Sequence, residues 1–227
     1  MEVAEIEKHF PDLELVEEGI WRGTIKFFHI YRDYRIADEY EVEISVPADF
    51  PDTLPRMSEI GGKTEAIAAK YKITDLRDLH KNPGVGTACL CVKQEEHVKV
   101  PAGSSLVDFI NALVIPYLYG LSYYNEQGKW PWSDYGHGFR GVIEFYGESS
   151  IPQDKKLVNG LVCMLFFEAD KNPYIEQLSN LNPDAPCICG KPLTITACHP
   201  NLFSGLERFR ADIDRHDLGS MLPEPDL

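Results

Sequence analysis

Two adjacent stretches with the residue pattern of β-strands constrain the fold of this chain most strongly. In "YEVEISVP", the apolar residues Tyr40, Val42 and Ile44 alternate with glutamates and a serine. Alternation of this kind is typical of an antiparallel strand with one buried face. The preceding stretch, "IWRGTIKFFHIY", consists mostly of β-branched and aromatic residues, which also favour a strand. The sequence therefore predicts an antiparallel sheet in the first part of the chain.

Helices are predicted before and after these strands, so the predicted fold class is α+β. Short helices are expected in "EVAEIEKHF" and "TEAIAAKYK". A long helix is expected after Ser104 or Ser105, either of which suits the N-cap, and Pro116 is expected to bend or end it. Later helices are predicted in "FRGVIEFYGE", "DKKLVNGLVCMLFFEAD" and "NLFSGLERFRADIDRHD".

Composition restricts the classes of partner. The chain has 36 acidic and 22 basic residues, a formal net charge of -14, which argues against a general nucleic-acid binder or an anionic membrane surface. The opening residues contain acids throughout and no apolar run long enough for a signal sequence, and no later stretch is predicted to span a bilayer. The protein is therefore expected in the cytoplasm, with proteins or small molecules as partners.

The six cysteines are predicted to be metal ligands, catalytic thiols or core residues, because disulfides are rare in a reducing cytosol. Cys163 lies inside an apolar stretch and is predicted to be a core residue. The remaining five fall into two groups, which are Cys89 and Cys91, and Cys187, Cys189 and Cys198.

The second group ends in a pattern that suits zinc. Cys187, Cys189, Cys198 and His199 follow the spacing C-x-C-x8-C-H. Two ligands from a tight turn, which Gly190 allows to fold back, and two adjacent ligands from a following strand or helix start can complete a tetrahedron. Three thiolates and one imidazole make a closed, structural site rather than a catalytic one. The alternative is four side chains that bind no metal.

This cysteine pattern resembles the SEC-C zinc knuckle, typically "CPCGSGKKYKKCC" or a variant that ends in Cys-His. The ligand spacing and the glycine after the second cysteine match, whereas the lysine-rich middle of the family is replaced by "KPLTIT". The resemblance implies a structural zinc ion. A knuckle with its C-terminal helix is predicted over residues 183–227, with the helix packed on the knuckle because so small a module cannot bury enough surface alone.

The first cysteine group lies in "DLHKNPGVGTACLCVKQ", and Cys89 and Cys91 are both candidates for chemistry. Taken alone, "TACLCV" also fits a buried strand. Acyl transfer by a cysteine needs an accessible sulfur and donors for the developing oxyanion, but no dedicated base if the acyl group arrives as a reactive thioester. Asn82 supplies an amide that a turn can place near the sulfur. Since residues two apart share a strand face, Cys91 can reach the same place as Cys89.

The order of motifs resembles that of the ubiquitin-conjugating enzymes. That family has a helix, an antiparallel meander, a proline-rich segment, His-Pro-Asn, Gly-x-x-Cys-Leu and a long helix, and here "DFPDTLP", "HKN" and "GTACL" take the three motif positions. The resemblance covers residues 1 to about 125. It implies a UBC-like fold with an N-terminal helix, a four-stranded antiparallel meander and C-terminal helices. We assign this core to residues 1–150 and a helical extension to residues 151–182.

The resemblance also implies roles for single residues. Cys89 is the thioester acceptor, Asn82 stabilises the oxyanion, and His80 braces the loop. The chain departs from the family in three ways: Lys81 replaces the proline, Asn82 is one residue closer to the cysteine than is usual, and Cys91 stands where aspartate is common.

A later loop, "WPWSDYGHG", lies where conjugating enzymes receive the incoming lysine. Asp134 and His137 are predicted to orient or deprotonate that amine, because an attacking lysine must lose its proton. The alternative is a loop whose aromatic residues and proline only form a lid over the core.

The chain looks like the divergent bacterial conjugating-type proteins, including those of antiviral CBASS operons that also encode cyclic-nucleotide synthases. The resemblance implies a transferase that joins the C-terminal carboxylate of a partner protein to a target lysine in antiphage defence. That partner is expected to be a ubiquitin-like protein or a cGAS-like nucleotidyltransferase. Two other functions remain open: a catalytically inactive UBC-fold module that binds a partner, and a zinc-dependent or redox protein that uses the cysteines directly.

Overall fold

A computed structural model describes residues 2–82, 84–92, 95–132, 135–136, 138–148 and 153–223 of the chain. The chain forms two compact units, Met1–Ser133 and Asp134–Leu227. The fold is α+β, as predicted, and its four-stranded antiparallel sheet lies in the first unit.

The sheet of the first unit is a meander in which each strand pairs with the next along the chain. The faces alternate as the sequence predicts, because Tyr40, Val42 and Ile44 are buried while Glu41 is exposed. The opening elements are α1 (Glu2–His9), β1 (Leu13–Glu17), β2 (Ile20–Tyr31), β3 (Tyr34–Ser45) and β4 (Arg56–Glu59).

The other helices of the first unit follow the sheet. They comprise α2 (Lys63–Tyr71), a 3-10 turn (Leu76–Leu79), α3 (Glu96–Lys99), α4 (Leu106–Phe109), a π-helical segment (Ile110–Val114) and α5 (Ile115–Gln127). The Ser105 side chain caps α4 and exchanges hydrogen bonds with Asp108. Of the two outcomes expected at Pro116, a bend or an end, the helix does not end there. That proline falls in the first turn of α5, directly after the π-helical segment, where its missing N–H is more easily accommodated.

The continuous helix Leu106–Gln127 is long and apolar enough to cross a membrane by length and composition. However, 67% of its most apolar window is buried inside the structure. Its fully buried residues include Leu106, Phe109, Ile110 and Leu118, which belong to the hydrophobic core of the first unit. This burial is compatible with the core helix of a soluble protein.

The main elements described in the second unit are helices, and an isolated antiparallel bridge pairs Pro186 with Thr194. Its helices are α6 (Phe139–Glu148), α7 (Lys155–Phe166), α8 (Asn172–Ser179), α9 (Ile195–Cys198) and α10 (Pro200–Arg215). Helix α10 contacts all four of the others and buries the apolar stripe predicted from its sequence, with Leu202, Leu206, Phe209 and Ile213 inaccessible to solvent. It is therefore the central helix of this unit.

Helix α6 packs within the second unit, although the boundary predicted at residue 150 places it at the end of the first domain. Its backbone lies directly against α10. A Cβ atom on Gly205 would lie only 1.9 Å from the Ile143 carbonyl oxygen, and one on Gly147 would lie 2.3 Å from that of Asn201. Glycine at these positions permits two helices to approach at backbone contact. The compact division consequently falls before α6.

Cys163 is exposed, so its prediction as a core residue was wrong. Helix α7 buries one face, formed by Val158, Leu161, Val162 and Leu165. Position 163 follows Val162 by about 100° around the helix, which turns its side chain away from that face. An apolar neighbourhood in sequence therefore did not correspond to burial here.

Candidate functional site

Cys89 lies on a short hairpin that follows the 3-10 turn. Its backbone N–H donates to the His80 carbonyl at 2.7 Å, and the Asn82 N–H donates to the Thr87 carbonyl at 2.8 Å. These two bonds hold residues 80–82 opposite residues 87–89. We call residues 80–82 and 84–89 the Cys89 hairpin.

The Asn82 side chain is held on this hairpin by a hydrogen bond from its Nδ2 to Thr87 Oγ1, at 3.2 Å. In an extended segment, residues two apart point to the same face, so Thr87 and Cys89 share one. The amide is thereby anchored on the face that carries the sulfur. Since a primary amide has two N–H groups, the bond to Thr87 occupies one of them.

The hairpin is tied to the rest of the first unit through backbone bonds and one ion pair. The Ala88 N–H donates to the Met57 carbonyl of β4 at 2.7 Å, and the Lys81 N–H donates to the Leu76 carbonyl at 3.1 Å. The Lys81 ammonium pairs with Glu65, and the lysine side chain is only 13% exposed. A proline at position 81 would lose both the N–H bond and the ion pair.

Aromatic side chains brace the entry to the hairpin. The Tyr117 hydroxyl donates to the Leu79 carbonyl at 3.2 Å, and the Trp130 indole N–H donates to the Asp78 carbonyl at 3.0 Å. The His80 ring also meets the Trp130 ring edge to face, with their centroids 4.8 Å apart. The His80 ring therefore packs against Trp130 where the chain enters the hairpin.

The tryptophans of the loop after α5 pack on the core. A Cβ atom on Gly120 would lie 2.1 Å from the Trp130 ring and 3.2 Å from the Trp132 ring, so only glycine fits beneath them. This part of the loop has the lid-like packing that was the alternative to a catalytic role. Asp134 and His137 lie outside the described residues.

The two thiols of this region differ in their surroundings, although both are partly buried. Burial, together with the nearby carboxylates of Glu96 and Glu95, raises the pKa of the Cys91 thiol to about 12. Since the thiolate is the nucleophile, Cys91 is a poor acceptor at neutral pH. This difference favours Cys89.

The second candidate site brings Cys187, Cys189, Cys198 and His199 together, with one ligand atom from each lying within 4.8 Å of the others. We call these four residues the Cys₃His cluster. The Cys187 sulfur lies 3.1 Å from His199 Nδ1, and the sulfurs of Cys189 and Cys198 are 3.6 Å apart. A tetrahedral zinc ion with Zn–S bonds of about 2.3 Å places its sulfur ligands roughly 3.8 Å apart. The cluster could therefore hold a metal ion.

Local backbone structure places these ligands as their spacing predicts. The Gly190 N–H donates to the Cys187 carbonyl at 2.9 Å, and Gly190 has a left-handed φ of 79°, which closes the first turn. Cys198 ends α9, and His199 directly precedes α10. Cys198 and His199 thus lie at a junction between two helices. Of the two arrangements expected, a following strand or the start of a helix, this is the second.

A glutamate from α6 stands behind the cluster. Glu144 is only 4% exposed, and its Oε2 accepts the Gly136 N–H at 2.5 Å. Its Oε1 lies 3.9 Å from both Arg140 Nε and His199 Nε2, and it has no hydrogen-bond partner in the described part of the chain. Sequence reasoning missed Glu144, because one glutamate in an amphipathic helix does not reveal which distant residue it meets.

The protonation of the histidine ligand suits metal binding. Burial lowers the pKa of His199, and the positive charges of Arg140 and Lys191 lower it further. The imidazole is therefore neutral at physiological pH, and one of its nitrogens carries a lone pair.

Comparisons with known proteins assign no family to the chain. No protein-family model matches it, and no curated protein matches it. The Cys89 hairpin and the Cys₃His cluster are therefore the basis on which function is argued below.

Proposed function

We propose that the chain is a ubiquitin-conjugating-like transferase, in which Cys89 accepts the C-terminal carboxyl group of a protein as a thioester and passes it to a target lysine. Its partner in this proposal is a ubiquitin-like modifier or a cGAS-like nucleotidyltransferase, and its setting is bacterial antiphage defence in the cytoplasm. The observation that carries the proposal is the Cys89 hairpin itself, which follows an antiparallel meander, precedes a long helix and holds Asn82 on the sulfur's face.

In the proposed reaction, the Cys89 sulfur attacks the carbonyl carbon of an incoming thioester. The tetrahedral intermediate collapses, the original thiol leaves, and the acyl group remains on Cys89. A lysine amine then attacks the new thioester, the amide bond forms as the Cys89 thiolate departs, and the nitrogen loses a proton. The second N–H of the Asn82 amide is the proposed donor to the oxyanion. Asp134 and His137 keep their proposed role towards the lysine.

The choice of Cys89 over Cys91 is supported by the charges around Cys91. A thiol with a pKa of about 12 must lose a strongly held proton before it can attack, and the carboxylates beside Cys91 oppose that loss. Cys89 is also the residue that the hairpin bond to His80 holds in place.

We further propose that the Cys₃His cluster binds zinc as a structural cofactor in a knuckle of the SEC-C type. Three sulfurs and one imidazole nitrogen complete a tetrahedron and leave no position for a reactive water. The ion would supply a rigid joint between the turn at Cys187 and the start of α10.

One observation favours the alternative, a catalytically inactive UBC-fold module that holds a partner protein. The Asn82 side chain already donates to Thr87. If that bond uses the N–H group that should face the oxyanion, the amide cannot stabilise the transfer step. The hairpin would then bind the carboxyl terminus of a partner without transferring it.

The test uses a donor protein that carries a C-terminal thioester, so that no activating enzyme is required. Wild type, Cys89→Ala and Cys91→Ala are mixed with the donor and examined by intact mass before and after reduction. We expect a reductant-sensitive adduct on wild type and on Cys91→Ala but not on Cys89→Ala. Asn82→Ala should still form the adduct but discharge it to free lysine about 100-fold more slowly.

The other outcomes are also informative. An adduct that persists in Cys89→Ala and disappears in Cys91→Ala moves the acceptor to Cys91. No adduct on any variant contradicts the transferase proposal, and the binding module is then tested by titrating the same donor against wild type.

A further inference from the structure

The two ring nitrogens of His199 face different neighbours. Nδ1 lies 3.1 Å from the Cys187 sulfur, whereas Nε2 lies 3.9 Å from Glu144 Oε1. A neutral imidazole carries one N–H and one lone pair, and the nitrogen that binds a metal must carry the lone pair. If Nδ1 is the ligand, Nε2 bears the hydrogen, and that hydrogen requires an acceptor on the side where the glutamate lies.

Glu144 has an oxygen that can accept this hydrogen. Its Oε2 is engaged by the Gly136 N–H at 2.5 Å, while its Oε1 is buried without a hydrogen-bond partner among the described residues. Arg140 Nε also lies 3.9 Å from this oxygen, beyond hydrogen-bond range, and a buried carboxylate oxygen without a hydrogen bond costs free energy. If the distance between Oε1 and His199 Nε2 were about 1 Å shorter, the two atoms would be in hydrogen-bond range and each would have a partner.

Helix packing keeps the glutamate close to the histidine. Cβ atoms on Gly205 and Gly147 would lie 1.9 Å and 2.3 Å from carbonyl oxygens of the facing helix, so α6 and the start of α10 are in backbone contact. Glu144 belongs to α6, and His199 directly precedes α10. The distance between the two side chains is therefore set by a rigid pair of helices.

We propose that Glu144 is a positioning residue of the metal site, whose Oε1 accepts the Nε2–H of His199 and so presents Nδ1 to the ion. The inference rests on the metal binding proposed above. A carboxylate in this place fixes the tautomer and orientation of the ring and makes the ligand nitrogen more basic. The metal site would then include a residue from a helix far from the knuckle in sequence.

The test compares wild type with Glu144→Gln in the full chain. Glutamine has the same shape but only one acceptor oxygen, so it can satisfy either the Gly136 N–H or the His199 N–H, but not both. We expect Glu144→Gln to bind Zn²⁺ about tenfold more weakly, measured by competition with a chromophoric chelator.

The matched control is Asp212→Asn, which also alters a buried carboxylate of the second unit. Asp212 is 7% exposed, accepts a hydrogen bond from the Gln153 N–H and pairs with Arg215, and it is not a member of the cluster. We expect this variant to lower the melting temperature without changing the affinity for Zn²⁺. If both variants weaken Zn²⁺ binding equally, the effect comes from general destabilisation and the proposal is overturned.

Nitrogen-resolved NMR of His199 gives a second measurement. In zinc-loaded wild type we expect the metal on Nδ1 and a slowly exchanging hydrogen on Nε2, with faster exchange in Glu144→Gln. Metal on Nε2 of wild type overturns the proposal, and this result does not depend on whether the variant folds.

Two negative results are distinguishable. If wild type binds Zn²⁺ and Glu144→Gln matches it in affinity and exchange rate, only the role of Glu144 is overturned. If wild type binds no Zn²⁺, the proposed metal site is overturned together with it.

Discussion

The chain contains two Cys-x-Cys pairs with identical spacing and different structural outcomes. Cys187 and Cys189 stand on a turn closed by Gly190, and two further ligands converge on them. Cys89 ends the Cys89 hairpin and Cys91 follows it, and no other ligand group joins them within the part of the chain that the structure describes. The same spacing therefore leads to a metal-binding geometry or to two separate thiols, according to the backbone that follows it.

The two pairs also differ in how their charges are balanced. Around Cys91, the carboxylates of Glu95 and Glu96 oppose formation of a thiolate. In the Cys₃His cluster, thiolate charges would be balanced by a shared cation. One region thus keeps a thiol protonated beside a candidate nucleophile, whereas thiolates in the other region would depend on the proposed cation.

Metal removal should separate the two regions most clearly. We expect Cys189→Ser, or treatment with a strong chelator, to remove zinc and abolish the cooperative unfolding of the second unit, because structural zinc sites contribute about 10 kcal/mol or more to folding. Metal analysis and thermal unfolding measure the two effects.

The control for metal removal is Cys89→Ala, which should keep its full zinc content and unfold as wild type does. Release of metal by this variant would contradict the comparison, because it would mean that the two cysteine pairs form one site.

Alkylation should show that the Cys91 thiol reacts slowly at neutral pH. With a pKa of about 12 for Cys91, only about 1 in 10,000 molecules carries its thiolate at pH 8. We expect iodoacetamide to modify Cys91 at least about 100-fold more slowly than the exposed Cys163. Because the group titrates far above this range, its rate should rise about tenfold per pH unit from pH 7 to 9. Peptide mass spectrometry measures the rates, and a plateau below pH 9 would contradict the assigned pKa.

A pair of glycine variants tests whether α6 and α10 are held at backbone contact. We expect Gly205→Ala to destabilise the second unit by about 2 kcal/mol, because the added methyl group would overlap the Ile143 carbonyl. Gly160→Ala, on α7, meets nothing within 4 Å and should stabilise by about 0.5 kcal/mol. Denaturant unfolding measures both changes. Equal effects of the two variants would show that α6 and α10 are not held at backbone contact.

The features that the sequence predicted correctly are local ones. The alternation of Tyr40, Val42 and Ile44 indicates a strand with one buried face, and Ser105, one of the two serines expected, is the N-cap of a helix. Each depends on residues a few positions apart, whose relative directions follow from the period of the strand or helix.

The features that the sequence did not predict depend on how the backbone turns and which face of a helix is covered. Cys163 lies in an apolar stretch but points away from the buried face of α7. Pro116 follows a π-helical segment that lets the helix continue, and Lys81 donates a backbone bond that proline lacks. None of these outcomes follows from the residue type and its immediate neighbours.

By itself, the sequence determined the α+β class, the antiparallel pattern of the sheet and the four residues of the cluster, because periodicity and spacing act over short distances along the chain. Only the tertiary structure decided that α6 belongs with α10, that the Asn82 amide lies against Thr87, and that Glu144 stands behind His199. Local patterns show that a residue faces the interior. They do not show which buried polar atom it meets there, since that depends on how separate helices and strands pack.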